Sequence, residues 1–484
     1  MRTNLSRRKF LRMIFATSAT SLLAACGSSP APAQVPTAAP GGASAPTAAP
    51  AAEPTAEPTV APAAEPTPAP TAQPEILGEG DTEISMWVQD FPPAVEFFKK
   101  AAQAHMEKAS GIKVVVQPIP YSDLQTKMLP AIAAGNEADV LFGYTDWYVA
   151  TDITKLFLPL DDFVGGRAEL EKSIFPSALT TLETPENKVY YVPFAAGIRA
   201  AALTLNTAHY KEKNIDYAKF TAFEDYLGAA KELTITDGGA IKRAGISTYT
   251  AVLSLVKTWI WQMGSEFYNR EQGKWSLSSP EGEAALQRIY DMYWTNKVSS
   301  LDIFNDEYQG FIQELVSTQF NGAWTMGVME AANEKLKLDC LPTPKLLSAK
   351  NDVVYPEHMG VVTLSRRLAK DNNKLDAAVG IMKAMLTADA LIFLTETYSG
   401  SVMSKAVYDD PRINQTKYGK ISKRIAEGTW PRARFPRDRV ANQAPAQEEL
   451  WRALRKQISV KEALANADTY LNDQEAQAIE RLKS

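Results

Sequence analysis

Aromatic and carboxylate side chains gather where three successive strand patterns end. These are Trp87 to Phe91 with Asp90, then Tyr121, then Tyr144-Thr-Asp146-Trp147. Aromatic rings offer large flat surfaces with a partial negative face toward C–H groups, at little entropic cost. Carboxylates can accept from two neighbouring hydroxyls at once. Trp87, Asp90, Tyr144, Asp146 and Trp147 are therefore candidate ligand contacts, with Tyr121 behind them. This is the chemistry of recognition. The residues of bond-breaking are not patterned: the chain has no Gly-x-Gly-x-x-Gly, Gly-x-x-x-x-Gly-Lys-Ser/Thr, His-Glu-x-x-His or Gly-x-Ser-x-Gly. Three scattered histidines and two cysteines argue against a His-rich metal centre, and no metal or cofactor is expected.

The elements that position these residues alternate between strand and helix. Glu83 to Val88 alternates apolar and polar side chains. Pro92-Pro93 is a good helix start, and Val95, Phe98, Ala102 and Met106 then share one helical face. Gly111 suits a C-cap before the strand Ile112 to Val116. A second helix is expected from about Ser122 to Ala134, kinked by Pro130, and a third strand over Ala138 to Phe142. This order implies a parallel, doubly wound α/β sheet, which meets its ligands at the carboxyl ends of its strands.

Composition bounds the rest. The 484 residues suggest two to four domains, and 45% apolar residues are enough for a large core. The net charge is −5, but the first 26 residues hold five Arg/Lys and no acid. Without them 46 basic residues face 56 acidic ones, a −10 surface that repels phosphate backbones and argues against nucleic-acid binding. Adjacent Arg7 and Arg8, then Lys9-Phe10-Leu11, precede a mild apolar run of about 13 residues, too short to span a membrane. The start is similar to a twin-arginine export signal, and Leu23-Ala-Ala-Cys26 resembles a lipobox in which Cys26 is acylated. Residues 1–26 are thus read as a signal peptide ending at Cys26, which leaves Cys340 a lone buried thiol and no disulfide. Residues 27–80, rich in Pro, Ala and Thr, read as a disordered tether that holds the body off a membrane.

Beyond residue 80, Ala131 to Leu141, Leu158 to Asp161, Val189 to Asn206, Phe320 to Trp324, Gly360 to Ser365 and Val460 to Asn472 form an ordered series of motifs. With it the chain resembles the family-1 bacterial extracellular solute-binding proteins of ABC importers, the cluster that includes maltose- and other sugar-binding lipoproteins. Ala131-Ile-Ala-Ala-Gly135 with Ala138-Asp139-Val140-Leu141 is similar to the family's Gly-x-x-Pro-Asp-Val signature, with Ala138 in place of proline. Leu158-Pro-Leu-Asp161, Tyr190 to Pro193 with Ala202 to Asn206, and Phe223 to Tyr226 resemble the following segments. Phe320-Asn-Gly-Ala-Trp324 is similar to Met-x-x-Gly-x-Trp, without the Gly-Lys that usually precedes it. Gly360 to Ser365 and Val460 to Leu464, leading to Asn472, resemble the second crossing and the closing helix.

The resemblance implies a periplasmic-binding-protein-like two-lobe α/β fold (type II). Each lobe would be a central mixed sheet flanked by helices, with the ligand cleft between them. Lobe one would span 81–197 plus 358–397, and lobe two 198–357 plus 398–484. It also implies a monomeric, lipid-anchored binding protein outside the cytoplasmic membrane, capturing a carbohydrate by hinge closure for an ABC permease. Trp324 becomes the strongest stacking platform, and Asp146 falls where related sugar binders place a carboxylate. Trp261, with Phe194 and Tyr398 behind it, completes the set.

Each candidate has a structural counterpart reading. Asp90 is equally suited to capping the next helix, Trp261 to a helix core, and Trp87 to an inward strand position. His105 is read as structural, and His209 and His358 as surface or hinge residues. The basic stretch Arg424 to Arg439 reads as a solvated face. A polyamine site using Asp90 and Asp146, ferric iron on Tyr190-Tyr191, and a secreted glycosidase with paired acids are the alternatives.

Overall fold

The structure is a computed structural model, and it describes residues 73–148, 152–175, 188–197, 202–248, 251–269, 271–304, 306, 308–351, 358–398, 401–429 and 442–483. The signal peptide with Arg7, Arg8 and Cys26, most of the tether, and the basic stretch beyond residue 429 lie outside the described residues.

The first strand, β1 (Glu75–Leu77), lies within the segment read as tether and pairs antiparallel with Val114 to Val116, so the folded body starts earlier than residue 81. Then follow β2 (Thr82–Gln89), helix α1 (Pro92–Met106), β3 (Ile112–Ile119), α2 (Tyr121–Ala134) and β4 (Val140–Tyr144). Helix α1 buries Val95, Phe98 and Ala102, three of the four residues whose spacing marks its face. It is capped at Glu107, four residues before Gly111. Pro130 is accommodated inside α2, which ends at Gly135 with φ 70°, a left-handed conformation that favours glycine. A short helix α3 (Thr145–Tyr148) continues directly from β4, and β5 (Val192–Gly197) is the strand that leads out of the lobe.

In the second lobe, β6 (Ala202–Asn206) is followed by helix α4 (Phe223–Leu233) and a hairpin of β7 (Ile235–Asp237) and β8 (Ala240–Arg243). Helix α5 (Val252–Gln262) is buried at every residue, as the absence of a polar face requires. Strands β9 (Tyr268–Asn269) and β10 (Lys274–Trp275) precede helix α6 (Pro280–Trp294), β11 (Thr318–Phe320) and β12 (Leu338–Pro342). The chain returns to the first lobe as β13 (His358–Leu364), α7 (Asn372–Met385), α8 (Ala388–Tyr398) and β14 (Ser401–Val402). Helices α9 (Lys417–Thr429), α10 (Ala444–Leu454) and α11 (Val460–Lys483) close the described chain.

The large sheet has the order β1-β3-β2-β4-β13-β5-β14. The β2, β3 and β4 trio is parallel, as the alternation of elements requires, while β13 enters antiparallel between β4 and β5 and makes the sheet mixed. The second lobe holds the smaller sheet β11-β6-β12. Each lobe has its own core, with a small third cluster beneath β11 and β12. The first core extends past residue 397 to Val402, Met403, Val407, Tyr408 and Ile413, so the segment assigned to the second lobe from 398 packs instead in the first. Helices α10 and α11 do pack in the second core, where Asn472 bonds the backbone of Trp275 in both directions, at 2.8 and 3.2 Å.

The Asp139 of the Ala138-Asp-Val-Leu motif is a buttress. Its carboxylate accepts from the Ser85 amide (2.9 Å) and hydroxyl (2.8 Å), and Arg367 and Lys374 lie 3.7 and 3.9 Å away. This ties the start of β4 to β2 and to the segment after β13, at the end of the sheet remote from the candidate residues.

Candidate ligand site between the lobes

Strand register places the candidates. Tyr144, the last residue of β4, pairs with Gly360 near the start of β13, and Gly197, the last of β5, pairs with His358. The carboxyl ends of β2 and β3 lie level, with Gln89 opposite Ile119. All of these ends therefore face the side on which the chain leaves for the second lobe. There, β6 begins with Ala202 opposite Pro342, and Leu203 lies opposite Phe320, the end of β11. Both sheets thus bring their candidate residues to the ends joined by the crossings 197–202 and 342–358.

On the first-lobe side, the Tyr121, Tyr144 and Trp147 rings form a triangle with centroids 5.1 to 5.7 Å apart. Phe142 connects them inward to Phe98 and Phe194. Phe194 stacks on Phe97 and is core. The Tyr144 hydroxyl donates to Gln89 Oε1 at 3.1 Å, an anchor that no sequence signal marks. Trp147 is only 2% exposed, so its faces are covered and it is no open platform. Its indole N–H, however, has no partner among the described residues. A buried donor left unpaired costs roughly 1–3 kcal/mol, a cost removed when an acceptor arrives. Asp146 occupies the second position of α3; its side chain, like those of Tyr398 and His358, lies outside the described residues.

Trp87 is half-buried on the face of β2 opposite Met86 and Val88, with the Lys127 ammonium 5.2 Å from its ring centroid. Asp90 does not cap the following helix: the cap position is Phe91, without a side-chain bond. The Asp90 carboxyl is open at its surface yet crowded by protein. Desolvation first, and the neighbouring Asp123 carboxylate next, hold its pKa above the ordinary value.

On the second-lobe side, Trp324 sits in a 3₁₀ turn (Ala323–Thr325) just after β11. It is half-buried, and its ring lies directly over Gly322: a Cβ there would stand 1.5 Å from Trp324 Cζ3. Glycine is required for this close approach. Trp261, by contrast, belongs to the second core. It is 4% exposed, donates to Glu266 at 2.8 Å and packs 4.9 Å from Phe267, so the helix-core reading holds. His209 is also buried, between Asn206 and Ser317, and not at the surface or hinge. Tyr190 and Tyr191 are buried just before β5, at the end of the sheet away from the crossings. Among the described residues no three His, Cys, Asp or Glu side chains converge as a metal site.

Residues 91–362, just over half of the chain, match the family model of the bacterial extracellular solute-binding proteins. The fold is similar to the maltose/maltodextrin-binding domain MalE from Bdellovibrio bacteriovorus bound to maltotriose (16% identity, TM-score 0.64, 82% of this chain and 100% of that one). It is similar also to maltose-bound T. maritima MalE3 (18%, 0.65, 80% and 98%). A third similar structure is the ABC substrate-binding protein Lmo0181 from Listeria monocytogenes in complex with cycloalternan (16%, 0.66, 81% and 98%). No curated protein matches the chain. Identities this low establish the two-lobe fold and leave the ligand to be argued from the site.

Proposed function

The chain belongs to the bacterial extracellular solute-binding proteins, and from that premise we propose that it captures a carbohydrate between its lobes and delivers it to an ABC permease. The observation that carries this reading is the half-buried Trp324 ring lying over Gly322 at the crossing end of the second sheet. Such a ring suits the C–H face of a pyranose. The Tyr121–Tyr144–Trp147 triangle supports it from the first lobe, with Tyr121 half-buried at its edge and the Trp147 N–H free to meet a hydroxyl or ring oxygen. Trp147 thus acts as a donor, and Trp324 as the platform. Asp146, and Asp90 beside Asp123, supply acceptors for hydroxyl hydrogens. The similar structures named above hold maltotriose, maltose and cycloalternan, which favours an oligosaccharide.

Ligand contacts on both lobes favour the closed state, so binding shifts the population toward it. The twin-arginine start and Leu23-Ala-Ala-Cys26 point to export and acylation, with the body tethered outside the cytoplasmic membrane. A second reading, a cationic solute such as a polyamine, draws on the Asp90 and Asp123 carboxylates. Thermal unfolding against malto- and manno-oligosaccharides, monosaccharides, spermidine and ferric iron separates these. A ligand at 100 times its Kd adds about 2.7 kcal/mol to stability. A shift with sugars alone supports the proposal, and a shift with spermidine or iron alone overturns it.

A further inference from the structure

The chain passes between the lobes a third time through α9, and this helix has a seat on each lobe. On the second lobe, Arg424 donates to the Asp339 carboxylate and to the Cys340 carbonyl of β12. Lys417 and Tyr418 donate to Glu330, the latter at 2.7 Å. Ile421 and Ile425 join Ala323, Met326 and Met329 in the third buried cluster. Since Ala323 adjoins Trp324, this seat supports the turn that carries the candidate platform.

The seat on the first lobe centres on one hydroxyl, with Ala426 packed in the first core and Lys423 donating to the Tyr408 carbonyl at 3.3 Å. Tyr408 and Ser422, 4% and 0% exposed, meet at 2.9 Å. The Tyr408 oxygen also accepts from the Val402 amide, and its hydroxyl reaches the Val402 carbonyl, both at 3.1 Å. One hydroxyl has one proton, so donation to Val402 competes with donation to Ser422. Val402 pairs with Ala195 of β5, the first strand to cross between the lobes. A continuous path of bonded groups therefore runs from the crossing strand through Tyr408 and Ser422 to the helix beneath Trp324. Charged contacts and an apolar cluster hold α9 on the second lobe, while Ala426 and the Tyr408 hydroxyl hold it on the first, so a change in lobe angle bears on the Tyr408 seam.

We propose that Tyr408 is a positioning residue whose hydroxyl sets the balance between open and closed lobes, acting through α9 on the Trp324 turn. The proposal rests on the closure mechanism above, but its first readout needs no ligand. Spin labels at Lys108→Cys on the first lobe and Lys231→Cys on the second, in a Cys26→Ser chain, report inter-lobe distance. Cys340 stays unlabelled, because it is buried and burial pushes its thiol up to about 12. Tyr408→Phe and Ser422→Ala are each expected to change the ligand-free closed population, roughly two- to tenfold for one buried hydrogen bond. The Kd for maltotriose should change by the same factor as that population. Unchanged distances in both variants, or a changed Kd at unchanged distances, would overturn the coupling. A structural role alone would lower the melting temperature and leave distances as they were. If no sugar of the panel binds the parent chain, the sugar reading falls, and the distance measurement still decides the coupling.

Discussion

Replacing Gly322 by alanine tests the platform without touching the platform residue. The backbone there has φ −76° and ψ 159°, extended values open to any residue, so alanine adds no backbone strain. The added methyl would lie 1.5, 1.8 and 2.5 Å from Cζ3, Cε3 and Cη2 of Trp324. An ordinary carbon–carbon contact is about 3.5–4 Å, so the indole must retreat by about 2 Å. Stability should change by no more than about 1 kcal/mol, because the ring is half-exposed and alanine lowers the entropy of the unfolded chain. Binding should suffer more. Losing the burial of one aromatic face costs roughly 1.5–3 kcal/mol, about 10- to 150-fold in Kd. Calorimetric titration with the best sugar of the panel measures it for Gly322→Ala, Trp324→Ala and the double variant. The two losses should not add, since both remove the same contact. A Gly322→Ala protein that binds like the parent would refute the reasoning.

Other outcomes follow from the packing. Trp261→Phe should lower stability by about 1–3 kcal/mol through the lost bond to Glu266, while Kd stays within about twofold; chemical denaturation and titration check both. Asp139→Ala should cost about 3 kcal/mol or more in the same denaturation assay, because it leaves the Ser85 amide and hydroxyl without their carboxylate. His209 should make stability fall with acid. Burial first, and the Arg243 charge next, hold its pKa at about 4 against 6.5 unfolded, so its contribution is complete above pH 6.5 and lost as pH falls toward 4. The loss is at most about 3 kcal/mol and smaller where solvent screens it, and a His209→Gln variant should show a flatter melting profile between pH 7 and 4. Parallel profiles would contradict the assignment.

The parallel trio β2, β3, β4 is legible in the sequence because alternation, a proline start and a glycine end reinforce one another locally. The antiparallel entry of β13 is not, because a pairing more than 200 residues distant leaves no local mark. Tyr121, Tyr144 and Trp147 are found by reading strand ends, yet their roles differ: the sequence shows an aromatic ring but not which of its faces is covered. Trp324 and Trp261 illustrate the same limit. Trp324 sits beside a glycine that leaves its ring room, whereas Trp261 lies on a helix whose every residue is buried. The apolar run Thr258-Trp-Ile-Trp-Gln-Met263 carries that signal, since it offers no polar face to water. The lobe boundary after residue 397 is misread for a related reason. Two short segments and one hydroxyl, Tyr408, join the first core by contacts that no periodicity encodes.

The central claim is tested most directly by titrating the folded chain with maltotriose, mannotriose and spermidine, alongside Trp324→Ala. Saturable binding of an oligosaccharide that weakens at least about tenfold in the variant is the expected result. Binding of spermidine with no response to either sugar would contradict it, and so would sugar binding indifferent to Trp324.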